Sequence, residues 1–238
     1  MAQKMKKSIT VTVPAYNEEK NIAWVVRRYD KIAKQIFNDY EIIIFNDGST
    51  DKTGEIADAL AKENPRIRVV HNKKNKGLGY NFRVGLKLSK KNYYIMISGE
   101  GETFSSSIKR ILSSAGKADI IIPYVGNQHV REQYRIIISE GFTAMLNLLF
   151  GLRLKYYNSY ALHKTKLLRQ VNLSTNSFAY QAEAIIQLIK YKKARTYIQV
   201  PCLTKRTTGT SCFKIKNLLG VITAMVTLFF KIYFKKKR

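Results

Sequence analysis

Three polar clusters in the chain carry residue types able to do chemistry. Pro14-Ala15-Tyr16-Asn17-Glu18-Glu19 joins a turn, an aromatic face and carboxylates, and Asn46-Asp47-Gly48-Ser49-Thr50-Asp51 sets carboxylates into turn-forming sequence. Ser98-Gly99-Glu100-Gly101-Glu102 places two carboxylates two residues apart in a glycine-rich turn. A turn plus a ring can hold a base, and an aspartate can accept hydrogen bonds from a ring N–H or a ribose hydroxyl. One or two carboxylates, completed by waters and phosphates, can hold Mg²⁺. Each cluster also has a plain reading: Asn-Asp-Gly-Ser is ordinary turn chemistry, and Glu100 and Glu102 can simply be solvated. The cationic candidates are Arg131 and Arg135, which would share a face if both were helical, Arg206, and the lysine-rich loop of Lys73, Lys74 and Lys76. For all of these the alternative is a solvated basic surface. His71, His129 and His163 lack metal-ligand spacing. Gly77-Leu78-Gly79 stops short of a dinucleotide fingerprint, because Phe82 stands where the third glycine would be.

The elements that must position these clusters follow from hydropathy patterning. Ser8 to Val13 alternates polar and β-branched residues and runs into Pro14, which reads as a strand entering a loop. Asn17 is expected to cap a helix whose first turn holds Glu18 and Glu19 and whose apolar positions are Ile22, Val25, Val26 and Ile32. Tyr40 to Phe45 is nearly all apolar, as in a parallel strand covered on both faces. A helix over Thr53 to Glu63, a strand over Ile67 to His71, a helix over Gly77 to Leu88 and a strand over Asn92 to Ile97 continue the alternation, followed by a helix from Ser105 through Leu112 and a strand from Ile120 to Pro123. Repeated strand–helix units predict an α/β fold with a mainly parallel sheet flanked by helices. Ligands in such sheets bind beyond the carboxyl ends of the strands, where all three clusters fall.

Composition sets the wider frame. The chain has 238 residues, 45% hydrophobic and 24% charged, which excludes a disordered tail and a coiled coil. Its 42 basic and 16 acidic residues give a net charge of +26, favouring polyanionic partners: nucleic acid, phosphorylated metabolites or anionic membrane. Two cysteines, Cys202 and Cys212, are too few for a disulfide framework or a four-ligand zinc site, and fit a reduced, cytoplasmic setting. The basic start of the chain leads into an alternating strand instead of an unbroken apolar core, so no signal peptide is read. Ile136 to Leu154 is apolar but interrupted by Glu140 and Asn147, which predicts a buried or interfacial helix. Leu218 to Phe230 offers 13 uncharged residues. As a helix these cover about 20 Å against roughly 30 Å of hydrocarbon, so the segment is expected to lie on a membrane, with Lys235 to Arg238 meeting anionic headgroups. The expected division is residues 1–212 as one domain and 213–238 as an amphipathic, membrane-associating tail.

Taken in order, Val13 to Glu19, Asn46 to Asp51, Asn75-Lys76-Gly77-Leu78-Gly79, the acidic turn at Glu100, and Lys205-Arg206 with Gly209 and Ser211 resemble the family 2 glycosyltransferases of the GT-A fold. The likeness is greatest to polyprenyl-phosphate sugar synthases such as dolichyl-phosphate mannose synthase, and it covers nearly the whole chain. It implies transfer of a sugar from a nucleotide diphosphate sugar to a polyprenyl phosphate, with inversion, by an enzyme peripheral on the membrane. By the same resemblance Pro14, Tyr16 and Glu18 line the nucleotide pocket, Asp47 contacts base or ribose, and Asn46 and Lys76 belong to the donor loops. Glu100 matches the second aspartate of the family's Asp-x-Asp, which holds Mg²⁺ or Mn²⁺, and Glu102 matches a position that assists the metal. The first aspartate is replaced by Ser98, and Asn46 stands where an aspartate is frequent. Arg131, Arg135 and Arg206 match basic residues that serve donor and acceptor phosphates. Glu183 matches a carboxylate near the acceptor side and would be the general base for a hydroxyl acceptor; an acceptor phosphate, already anionic, needs none. Two other readings stand beside this one: the same fold with a carbohydrate hydroxyl acceptor, and a non-catalytic basic scaffold for nucleotide or membrane. Nucleic acid is disfavoured, because charge alone would give steep salt dependence without sugar-nucleotide selectivity.

Overall fold

The computed structural model describes residues 5–205 and 215–234. Seven strands form one sheet in the order β3-β2-β1-β4-β6-β5-β7. They are β1 (Met5–Ala15), β2 (Phe37–Asn46), β3 (Ile67–His71), β4 (Tyr93–Met96), β5 (Ile120–Val125), β6 (Leu162–Lys164) and β7 (Tyr197–Cys202). All pairings are parallel except those of β6, which runs antiparallel between β4 and β5. The carboxyl ends of β1, β2, β3, β4, β5 and β7 therefore share one edge.

Side-chain alternation on the strands divides the core in two. Ile9, Val11 and Val13 of β1, with Ile42 and Ile44 of β2, face one layer; it is filled by α1 (Ile22–Ile36), α2 (Thr53–Glu63) and α4 (Ser105–Ser113). Tyr94 and Met96 of β4, with Ile120 and Ile122 of β5, face the other. There they meet α3 (Leu78–Leu88), α5 (Gln133–Phe150), α7 (Tyr180–Lys190) and α8 (Ile215–Tyr233); α6 (Thr165–Leu168) adds Leu168. Met225 and Leu228 of α8 are buried in this second layer, so the helix expected as a surface tail is also part of the core.

Two local expectations are corrected. Asn17 does not cap α1: it lies in the left-handed region with φ 56°, and its Oδ1 accepts from Thr50 N at 2.9 Å. A turn closed by the Glu18 carbonyl intervenes, so α1 begins at Ile22, and Glu18 and Glu19 precede it. Arg131 is not helical either. It follows a 3-10 turn at Gln128–Val130 in extended conformation, and α5 starts two residues later, so Arg131 and Arg135 do not share a helical face.

His163 of β6 is fully buried, 3.2 Å from the Gln181 side-chain oxygen, and packs edge-on to Phe82. Burial lowers its pKa to about 4, against the opposing pull of that hydrogen bond. The native state therefore binds fewer protons than the unfolded chain between pH 6.5 and 4, and stability falls as pH falls through that window. Urea unfolding should show His163 withdrawing about 2 kcal/mol at pH 5 relative to pH 7.5. His163→Asn should flatten that part of the profile; an unchanged slope would show that other groups set it.

Candidate active site

The loops leaving β1, β2, β3 and β4 are stitched together by hydrogen bonds that lie far apart in sequence. Asn17 N donates to Ser49 Oγ at 3.0 Å, Glu18 N to Thr53 Oγ1 at 2.7 Å, and Glu19 N to Asp51 Oδ2 at 3.1 Å. Lys52 N returns a bond to Glu19 Oε2 at 3.1 Å. These bonds hold the Pro14–Glu19 turn against the Asn46–Asp51 turn. Tyr16 is 49% exposed at the top of this edge, its ring available to a planar ligand. Pro14 is buried, and its carbonyl accepts from Gly99 N at 3.1 Å, which ties the first loop to the acidic turn.

Asp47 and Asn46 are buried and engaged within the protein. Asp47 Oδ1 accepts from Asn72 Nδ2 at 2.7 Å and Lys76 N at 2.9 Å, and Oδ2 accepts from Gly77 N at 3.0 Å. Its carboxylate thus shapes the 72–77 loop and the start of α3. Gly48, at φ 75°, sits where a Cβ would run into the Lys74–Asn75 backbone at about 2.5 Å, so only glycine lets the two loops close. Asn46 Oδ1 accepts from Ser49 N at 3.2 Å, while its Nδ2 lies 3.1 Å from His71 Nδ1. Lys76 extends over the Tyr80 ring at 5.7 Å.

The acidic turn is fixed at both ends by tyrosines. Tyr29 of α1 donates to the Ser98 carbonyl at 2.8 Å, and the Tyr160 hydroxyl donates to Glu102 Oε1. Gly101, at φ 75°, lies against the Trp24 indole, where a Cβ would meet ring carbons at 2.3 Å. Lys205 N donates to the Glu102 carbonyl at 2.8 Å, joining the turn to the segment after β7. Glu100 keeps an open outer face, but its carboxyl is pushed up to about 7 by partial burial and then by the neighbouring Glu102 and Glu18 carboxylates. Among the described residues no three His, Cys, Asp or Glu side chains form a ready-made metal cluster. The carboxylate oxygens crowded around Glu100 nevertheless suit a hard divalent cation: Glu100 and Glu102 could hold one, with waters and ligand phosphates completing the shell.

The other candidates lie on separate elements or serve the fold. Arg131 lies at the carboxyl end of β5, in a cavity of about 380 Å³ shared with Tyr124, Glu140, Lys155 and Tyr156. Its guanidinium is 5.9 Å from the centre of the Tyr156 ring. Arg135 is buried in the first turn of α5. Glu183 is buried, and its two oxygens accept from Ser174 N, Ser174 Oγ, Thr175 N and Gln187 Nε2. It anchors the 172–175 loop. Arg206, Gly209 and Ser211 lie outside the described residues. Asn72 and Tyr160, which aim Asp47 and Glu102, carried no sequence signal: each reaches its partner only through the fold.

Strand order, helix placement and an acidic turn at the end of a central strand define a GT-A-type fold. The chain belongs to glycosyl transferase family 2, whose family model matches residues 10–177. It is 35% identical over 107 residues to the uncharacterized glycosyltransferase EpsJ of Bacillus subtilis, covering 45% of this chain but only 30% of that protein. Polyprenol monophosphomannose synthase of Mycolicibacterium smegmatis is 25% identical over 222 residues, 87% of this chain and 82% of that protein. Among solved structures, glucosyl-3-phosphoglycerate synthase from Mycobacterium tuberculosis, in complex with Mn²⁺, UDP and glucosyl-3-phosphoglycerate, superposes with a TM-score of 0.70 at 16% identity. That match covers 93% of this chain and 80% of the other, and at this identity it speaks for the fold.

The two carboxylates Glu100 and Glu183 can be told apart by experiment. Glu183→Ala strips the 174–175 backbone of its acceptors and should cost about 2–3 kcal/mol in urea unfolding. Glu100→Gln should stay within about 0.5 kcal/mol of the parent, yet lose Mn²⁺-dependent binding of nucleoside diphosphates measured by calorimetry. The opposite pattern would exchange their roles.

Proposed function

We propose that this protein transfers a glycosyl group from a nucleoside diphosphate sugar to a polyprenyl phosphate at a membrane surface, with inversion. The observation that carries the acceptor class is the apolar face shared by α5 and α8. The two helices pack through Phe150 against Phe229 and Tyr233, with ring centroids 6.2 and 6.3 Å apart, and Tyr233 donates to the Leu149 carbonyl at 3.0 Å. Outward they present Ile137 and Leu148, 65% and 85% exposed, with Met145, Leu219, Ile222, Val226, Phe230 and Phe234. Apolar side chains exposed in this number on two packed helices suit insertion to headgroup depth. No helix of the described residues is long and apolar enough to cross a membrane. The Arg131 cavity, at the carboxyl end of β5, is walled by Thr143, Ala144 and Asn147 of α5, so a lipid held along α5 would bring its phosphate beside Arg131. The likeness to polyprenol monophosphomannose synthase across most of both chains supports the same acceptor class.

In the reaction the base stacks near Tyr16, within loops that Asp47 and Asn46 hold in shape. Glu100 and Glu102 would hold a Mg²⁺ or Mn²⁺, which when bound would supply positive charge to the donor diphosphate. The acceptor phosphate oxygen, oriented by Arg131, attacks the anomeric carbon from the face opposite the leaving group. The new C–O bond forms as the old one breaks, and the nucleoside diphosphate leaves with the electron pair. The attacking oxygen is already anionic, so no general base is required, which agrees with the engagement of Glu183 in the 174–175 loop.

With Mg²⁺ or Mn²⁺, lipid vesicles and a panel of sugar nucleotides, nucleoside diphosphate should appear only when polyprenyl phosphate is present. Release driven instead by carbohydrate acceptors would move the assignment to a hydroxyl acceptor, and nucleotide binding without turnover would leave a scaffold. Leu148→Glu with Ile222→Glu should cut vesicle sedimentation at least ten-fold while preserving soluble donor binding. Deleting the whole of α8 is a poorer test, because it uncovers the Leu146 and Phe150 layer.

A further inference from the structure

On the face opposite α5 and α8, α1 and α4 enclose a groove of about 730 Å³ that the glycosyl-transfer reading does not use. Its wall carries Trp24, Arg28, Lys31 and Lys109, with Ser105 and Ser106 at the start of α4, and no carboxylate lines it. Arg27, at the rim, is already paired with Glu63 at 3.0 Å. Arg28 is held over the Trp24 ring at 4.7 Å, and its Nε and Nη2 are buried with no hydrogen-bond acceptor. The α4 amino end has no side-chain cap and no acidic residue in its first turn. Four sources of positive potential thus converge on one concave space: a part-buried guanidinium short of acceptors, two lysines and an uncapped helix end.

We propose that this groove is a second anion site, separate from the donor cleft, that takes a phosphate or diphosphate group. A bound anion would sit between Lys31, Lys109 and the first N–H groups of α4, and its charge would also compensate Arg28 on the groove floor. Trp24 links the site to the acidic turn, since Gly101 lies directly against its indole and Lys205 covers the same ring at 5.4 Å. Trp24 is also the only tryptophan in the chain, so its fluorescence reports on the groove and on the acidic turn it touches, and the variants below separate the two.

Equilibrium dialysis of radiolabelled pyrophosphate against the full chain in EDTA, with tryptophan fluorescence followed in parallel, tests this. Saturable binding with a matching change in emission is expected, weakened at least ten-fold in Lys31→Gln/Lys109→Gln and retained in the donor-loop variant Lys76→Gln. Arg28→Gln should weaken it comparably, provided its circular dichroism matches the parent. The charge-matched control Lys117→Gln/Lys193→Gln should bind as the parent does. Loss in Lys76→Gln but not in the groove variant would place the anion in the donor cleft, and equal losses in groove variant and control would show diffuse charge; either overturns the proposal, as does absence of saturable binding. Glycerol phosphate and phosphatidylglycerol vesicles, each used as competitor, separate a soluble phosphate ester from a lipid headgroup. Displacement by neither overturns the ligand class.

Discussion

The candidate site depends on one buried carboxylate. Asp47 lies at the end of a strand flanked on both sides, where water cannot solvate its oxygens, and an ion so placed must be met by fixed donors. The donors are Asn72 Nδ2 and the N–H groups of Lys76 and Gly77, so satisfying Asp47 fixes the loop between β3 and α3. Asn72 also reaches Asn81 Oδ1 at 2.8 Å inside α3, extending the constraint into the helix. Lys76 and Tyr80 are thereby carried to the rim of the cleft. A carboxylate matched by resemblance to a ligand contact is, in this geometry, first a builder of the loop that faces the ligand.

The acidic turn obeys a different electrostatic logic. The chain as a whole is strongly cationic, yet Glu102 and Glu18 are brought close enough to Glu100 to oppose its ionisation. Such crowding persists only where the backbone holds it, and Tyr29, Tyr160, Gly101 and Lys205 each fix one point of the turn. Replacement of the usual first aspartate by Ser98 leaves that scaffold intact, since Ser98 Oγ accepts from Glu100 N at 3.1 Å and the Ser98 carbonyl is what Tyr29 holds. The positive charge of the protein draws phosphates toward the edge, and the acidic turn leaves one place there where a cation is preferred.

Elements with strong periodicity were legible in the sequence: the helix over Thr53 to Glu63 and the strand over Ile67 to His71 fall where hydropathy puts them. The three clusters also fall at strand ends on one edge, as the strand–helix alternation requires. What escaped was set by contacts distant in sequence. Asn17 has the residue type of a helix cap, but tertiary bonds to Ser49 and Thr50 claim it for the neighbouring loop. Arg131 and Arg135 have helical spacing, but a 3-10 turn delays the helix past the first of them. β6 has three residues and pairs antiparallel between strands that arrive earlier, too short for any periodicity to mark. Tyr160 and Trp24 are ordinary aromatics until the fold sets them against the acidic turn.

The apolar segments near residue 140 and at the C-terminus look alike in hydropathy, and only packing separates their two duties. On α8, Met225 and Leu228 turn inward while Leu219, Ile222, Val226 and Phe230 turn outward; on α5, Leu146 and Phe150 turn inward and Ile137, Ile138, Met145 and Leu148 outward. Each helix therefore has two apolar faces, one for the core and one without a protein partner among the described residues. Since a buried leucine contributes about 1.5–3 kcal/mol only once it leaves water, the outer faces add nothing to folding. On the proposed reading their contribution comes from an apolar phase outside the protein. A bilayer surface would meet that requirement and would also fix orientation, because the cleft lies at the carboxyl edge from which α5 departs, and a lipid lying along α5 would approach the sheet from that side.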